Sequence, residues 1–170
     1  MPITKQSVAI IGSNSMLGSA IAQGLCKKNY RLLLFDEDPA EAQKLYDRIC
    51  STSASEEADV EVLDCQHLAS WEADVIIITL QDNNLDTISK KVQDVVTQKT
   101  VCVILKSDGT DRLNMIERKF PDSKVVGLVT SPQESDQVEI LSKHTRALET
   151  INQMAKDVGL VPDLKKLNHI

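Results

Sequence analysis

Short apolar runs alternate with amphipathic stretches along almost the whole chain. Val75-Ile76-Ile77-Ile78 and Val101-Cys102-Val103-Ile104-Leu105 are the clearest runs. Four or five apolar residues in a row suit a strand covered on both faces, which an exposed antiparallel sheet does not provide. The pattern predicts strands over 7–11, 31–35, 60–63, 74–80, 100–105, 125–129 and 137–141. A last short strand is expected at 160–161, ending before Pro162. Helices are expected over about 16–29, 39–49, 85–96, 110–120 and 143–158. Their inner faces would carry Ala20, Ile21, Gly24 and Leu25 in the first, and Leu85, Ile88, Val92 and Val95 or Val96 in the third. The last would turn Leu148, Ile151 and Met154 or Ala155 inward. Strands alternating with helices in this way imply βαβ units and a doubly wound, mostly parallel α/β sheet. Residues 1–170 read as a single domain with no separate substrate domain.

Composition narrows the functions such a sheet could serve. The chain has 170 residues and a net charge of −6, with no basic face to hold a duplex or an anionic membrane. Aromatic residues make up 3%, too few for base-stacking platforms, so no nucleic-acid partner is expected. No apolar run approaches the ~20 residues of a bilayer span, and no secretory leader is expected. Four cysteines, Cys26, Cys50, Cys65 and Cys102, lack metal-finger spacing. They read as buried reduced thiols in a cytoplasmic protein. His67, His144 and His169 have no carboxylate in local spacing and read as exposed side chains. Trp71 is expected to pack a surface helix under the sheet edge.

The stretch that carries chemistry is Val8-Ala9-Ile10-Ile11-Gly12-Ser13-Asn14-Ser15-Met16-Leu17-Gly18. As G-x-x-G-x-x-G its special positions fall on Gly12, Ser15 and Gly18, and two of the three match. The first glycine permits the turn off the strand, and the last lets the helix pack on the sheet. The small middle residue lets backbone approach a diphosphate, which the N–H groups and dipole of the helix start would hold. Ser13, Asn14 and Ser15 would add polar groups at that mouth, with Met16 and Leu17 in the first helical turn. The next strand ends in Asp36, 18 residues past Gly18, where an acceptor for the adenosine ribose hydroxyls belongs. Beyond the fourth strand, Leu80 and Gln81 would flank the same cofactor, and Asn83 or Asn84 could cap the following helix. Lys106 could meet a substrate or phosphate, or simply turn the chain.

Asp36 also bears on which dinucleotide binds. A carboxylate ~4 Å from a 2′-phosphate repels it by about 1–3 kcal/mol once screening is counted. Glu37 and Asp38 add to that field, and no Arg or Lys stands between Asp36 and Gln43. Residues 36–74 hold twelve acidic side chains against two basic ones. NAD is therefore expected in preference to NADP.

With these residues in view, the opening resembles that of the deazaflavin-dependent NADP oxidoreductases. It also resembles the nucleotide-binding module of pyrroline-5-carboxylate reductase and the 6-phosphogluconate dehydrogenase-like enzymes. Asp74-Val75-Ile76-Ile77-Ile78-Thr79-Leu80 looks like their strand and cofactor loop. The resemblance implies a Rossmann fold and a nicotinamide dinucleotide. It implies neither a substrate nor catalytic residues. Two readings follow: an oxidoreductase whose active site a second copy or partner subunit completes, or a non-catalytic NAD(H)-binding or redox-sensing module. A pseudo-enzyme that binds no nucleotide, with Ser15 as its mark, is a third. Asp36–Asp38, Asp64, Thr79 and Lys106 also mimic the acidic site of a receiver domain. Residues 64–79 look too short to hold the helix and strand that this would need.

Overall fold

In the computed structural model, residues 4–52, 58–79, 85–106, 109–131 and 136–168 are described. The chain alternates β1 (Gln6–Ile11), α1 (Met16–Leu25), β2 (Tyr30–Phe35), α2 (Pro39–Thr52), β3 (Asp59–Val62), α3 (Gln66–Glu72) and β4 (Val75–Thr79). It continues through α4 (Leu85–Val92), β5 (Thr100–Leu105), α5 (Gly109–Lys119), β6 (Lys124–Thr130), β7 (Gln137–Ser142), α6 (Thr145–Asp157) and β8 (Val161–Lys166). The strands form one sheet in the order β3-β2-β1-β4-β5-β6-β7-β8. Neighbours from β3 to β6 run parallel, β7 is antiparallel to β6, and β8 runs parallel to β7. The first six strands thus have the doubly wound order 3-2-1-4-5-6, whose switch point lies between β1 and β4. A receiver domain, ordered 2-1-3-4-5, is excluded.

Strand pleating sends alternate residues to two cores. Val8, Ile10, Val75 and Ile77 meet α1, α2 and α6 on one face through Ile21, Leu25, Leu45, Leu148 and Ile151. Ala9, Ile11, Ile76 and Ile78 meet α3, α4 and α5 on the other through Ala69, Ile88, Val92 and Ile116. Removing a leucine such as the fully buried Leu25 from water contributes about 1.5–3 kcal/mol. This two-sided burial is why the runs are uninterrupted.

Several expectations need correction. α1 stops at Leu25, with Cys26 as its cap, and it buries Ala22 rather than Ala20. The stretch 64–79 holds both α3 and β4, so its length was no argument against a helix there. Trp71 on α3 is 64% exposed and is not packed under the sheet edge. β8 runs through Pro162 instead of stopping before it. As the outermost strand it has one unpaired side, where the missing N–H costs no ladder bond. Cys26 and Cys102 are buried thiols, but Cys50 and Cys65 are exposed. His67 does have a carboxylate partner, Asp94 at 3.1 Å, which sequence distance concealed.

Candidate functional site

The loop between β1 and α1 is built on hydrogen bonds to the end of β2. Gly12 and Ser13 both donate their amides to the Phe35 carbonyl, at 3.0 and 3.1 Å. Gly12 sits at φ +82°, the left-handed region that glycine occupies without strain. A Cβ there would lie 2.2 Å from Thr79 Oγ1. That hydroxyl is the anchor of the turn, lying within hydrogen-bond reach of the Ile11 and Gly12 carbonyls at 3.0 and 2.8 Å. The Ser15 amide then donates to the Gly12 carbonyl at 3.0 Å and closes the turn.

Ser15 is the N-cap of α1, and its Oγ accepts from the Gly18 amide at 3.0 Å. Its φ of −60° is open to any L-residue. The backbone conformation at the middle position therefore needs no glycine. Gly18 is tight for a different reason, because a Cβ would lie 2.6 Å from the Gly12 carbonyl oxygen. The loop and the first helical turn are in contact there.

The remaining donors are informative. The Asn14 amide is taken by Asp36 Oδ2 at 2.9 Å, and Asp36 Oδ1 accepts from the Asp38 amide at 3.1 Å. The Met16 and Leu17 amides have no partner among the described residues. They are two adjacent donors at a helix start, the arrangement that holds an anion. Met16 itself is 90% exposed. Ser13 is fully buried beneath the loop and its hydroxyl is unpartnered among the described residues. It adds no polar group to the mouth, contrary to expectation, whereas Asn14 and Ser15 do line it.

A cleft of about 160 Å³ opens beside this loop. Gly12, Asn14 and Ser15 form one wall, and Phe35, Asp36 and Glu37 at the end of β2 form the next. Gln66, Thr79 and Ile88 complete it from α3, β4 and α4. The cleft lies outside the carboxyl ends of β1, β2 and β4, at the switch point where ligands of such sheets bind. The sequence reading missed Thr79 as an anchor and missed Gln66 altogether. Thr79 was discoverable as a polar end to an apolar strand, but Gln66 carried no signal of its own. Leu80, Gln81, Asn83, Asn84 and His169 lie outside the described residues. Lys106 is exposed at the end of β5. No group of acidic, His or Cys side chains among the described residues could hold a metal ion.

Sheet order, glycine turn and open helix start define an NAD(P)-binding Rossmann domain. Residues 8–152 match the sequence profile of the ketopantoate reductase PanE/ApbA family. The chain belongs to that family. The expected likeness to pyrroline-5-carboxylate reductase appears in the fold. The enzyme of that name from Coxiella burnetii superposes with a TM-score of 0.75 at 12% identity, over 96% of this chain and 60% of that one. A 5-formyl-3-hydroxy-2-methylpyridine 4-carboxylic acid 5-dehydrogenase, described as an NAD+-dependent dismutase, gives 0.73 at 17%, over 96% and 58%. A reductive aminase from Aspergillus terreus, solved with NADPH and ethyl levulinate, gives 0.65 at 14%, over 97% and 55%. The chain therefore spans a little over half the length of these proteins. No curated protein sequence matches it. Among the described residues no helix is long and apolar enough to cross a membrane.

Proposed function

We propose that the chain binds NAD at the β1–α1 loop and orients it for hydride transfer. The Met16 and Leu17 amides, without a partner among the described residues while the neighbouring amides are bonded, carry this reading. They would hold the diphosphate across the start of α1, where the dipole also favours negative charge. Gly12 and Gly18 let the loop pack against Thr79 and against the helix start, where a Cβ would not fit. Ser15 spends its acceptor on Gly18, and its own hydroxyl proton is left to face a phosphate oxygen. Bound there, the nicotinamide ring supplies the hydride chemistry, and the chain supplies position.

Asp36 would take the adenosine ribose. Each of its oxygens already accepts one backbone amide, and each keeps a second lone pair for a hydroxyl. Those two amides also fix the carboxylate in place. Glu37 stands beside it on the cleft wall, and no Lys or Arg lines the cleft among the described residues. This favours a free 2′-hydroxyl over a 2′-phosphate. Leu80 and Gln81 are proposed to flank the nicotinamide half, because they directly follow β4.

Titration with NADH and NADPH tests the assignment, with ketopantoate as the first substrate to try. NADH is expected to bind more tightly. Asp36→Asn should move the preference toward NADPH by about 5- to 150-fold, the ~1–3 kcal/mol of repulsion removed. Tighter NADPH binding by the unaltered protein would contradict the charge argument. Binding without hydride transfer to any carbonyl or imine acceptor would favour the non-catalytic module instead.

A further inference from the structure

Gln66 is the first residue of α3 and has no place in the account above. It is 6% exposed, yet it lines the same cleft as Gly12 and Asp36. Its carboxamide makes no hydrogen bond among the described residues. A carboxamide that no described group engages, held on the wall of a cleft, is available to a ligand there. Gln66 is open to the cleft.

Its place in the sheet indicates what it would meet. The glycine loop follows β1, Asp36 follows β2, and Gln66 follows β3, the next strand outward. Along a dinucleotide the order is diphosphate, adenosine ribose, adenine. A ligand with its diphosphate on the loop and its ribose on Asp36 carries its base one strand further, toward Gln66. Phe35 and Ile88 give the cleft apolar surface for a ring. A carboxamide offers one donor face and one acceptor face, and adenine offers the complementary pair: its 6-amino group beside a ring nitrogen.

We infer that Gln66 reads the adenine edge of the bound dinucleotide, accepting from the 6-amino group and donating to the adjacent ring nitrogen. The inference rests on the dinucleotide reading proposed above. Gln66 is a specificity-determining residue on this account and takes no part in the reaction itself. A ligand that keeps ribose and diphosphate but lacks the adenine edge should bind without its help.

The probe is 1,N6-etheno-NAD, whose bridge occupies the amino group and ring nitrogen that Gln66 would meet. Affinities for NAD and for this analogue are measured on the unaltered protein and on Gln66→Met. The unaltered protein should prefer NAD. The etheno penalty should shrink in the variant by about 5- to 150-fold, the range of a two-point amide–adenine contact. Added bulk on the base penalises both proteins alike and cancels in this ratio. Equal penalties in the two proteins would overturn the inference while leaving dinucleotide binding intact. Should Gln66→Met fail to fold, equal affinity of the unaltered protein for NAD and etheno-NAD overturns it alone. Absence of binding to NAD and NADP alike would instead overturn the reading on which it rests.

Discussion

Gly12 concentrates more of the site than any other residue. Its positive φ turns the chain off β1, and its missing Cβ leaves room for the Thr79 hydroxyl. Gly12→Ala would force a left-handed alanine and a 2.2 Å contact together. Unfolding in urea should show a loss of more than ~2 kcal/mol, since strain of this kind alone costs about 1–3 kcal/mol. A change within ~0.5 kcal/mol would mean that the loop rearranges freely. Sequence spacing revealed Gly12, Gly18 and Asp36, because a turn, a close approach and a strand end each demand a residue type. It did not reveal that Ser15 is a cap or that Ser13 is buried. Those roles depend on backbone angles and on the Gly18 amide, which spacing does not show.

Among the elements, legibility followed how local the support is. β1, β4 and β5 each carry an uninterrupted apolar run and were placed within a residue or so. α6 carries its inner face at helical spacing, and Leu148, Ile151, Met154 and Ala155 are all buried. α3 was missed because its seven residues show no clean apolar period and its supports come from elsewhere. Lys99, just before β5, donates to the Ser70 and Trp71 carbonyls at the end of α3, at 2.8 and 2.5 Å. A cation at that end also faces the negative pole of the helix. Partial burial lowers the Lys99 pKa, a small cost beside these contacts. Lys99→Met should destabilise the protein by ~1–2 kcal/mol, with amide exchange in α3 accelerated ahead of the other helices. Uniform exchange changes across the sheet would contradict this placement.

At the scale of the whole molecule, two buried acids make stability sensitive to alkali. Burial pushes the Cys102 thiol up to about 12. Tyr30 is raised as well, first by burial and then by its 2.6 Å hydrogen bond to Asp157, which ties β2 to α6. Both folded values lie above the unfolded ones, so folding favours the protonated forms. The thiol's contribution is complete below about pH 9, near its ordinary value, and is lost as pH rises toward 12. Cys102→Val should shift alkaline unfolding, followed by circular dichroism, to higher pH. An unchanged midpoint would show that the thiol is not the group that titrates.

The same scale holds the central claim, that this sheet presents a working dinucleotide site. The most direct measurement is thermal unfolding with NAD, NADH, NADP and NADPH side by side. A ligand at about 100 times its dissociation constant adds ~2.7 kcal/mol of stability. The account predicts a clear rise in Tm with NAD or NADH and a smaller one with the 2′-phosphorylated pair. No rise with any of the four would contradict it, leaving Gly12, Gly18 and the open amides of Met16 and Leu17 as features of the fold alone.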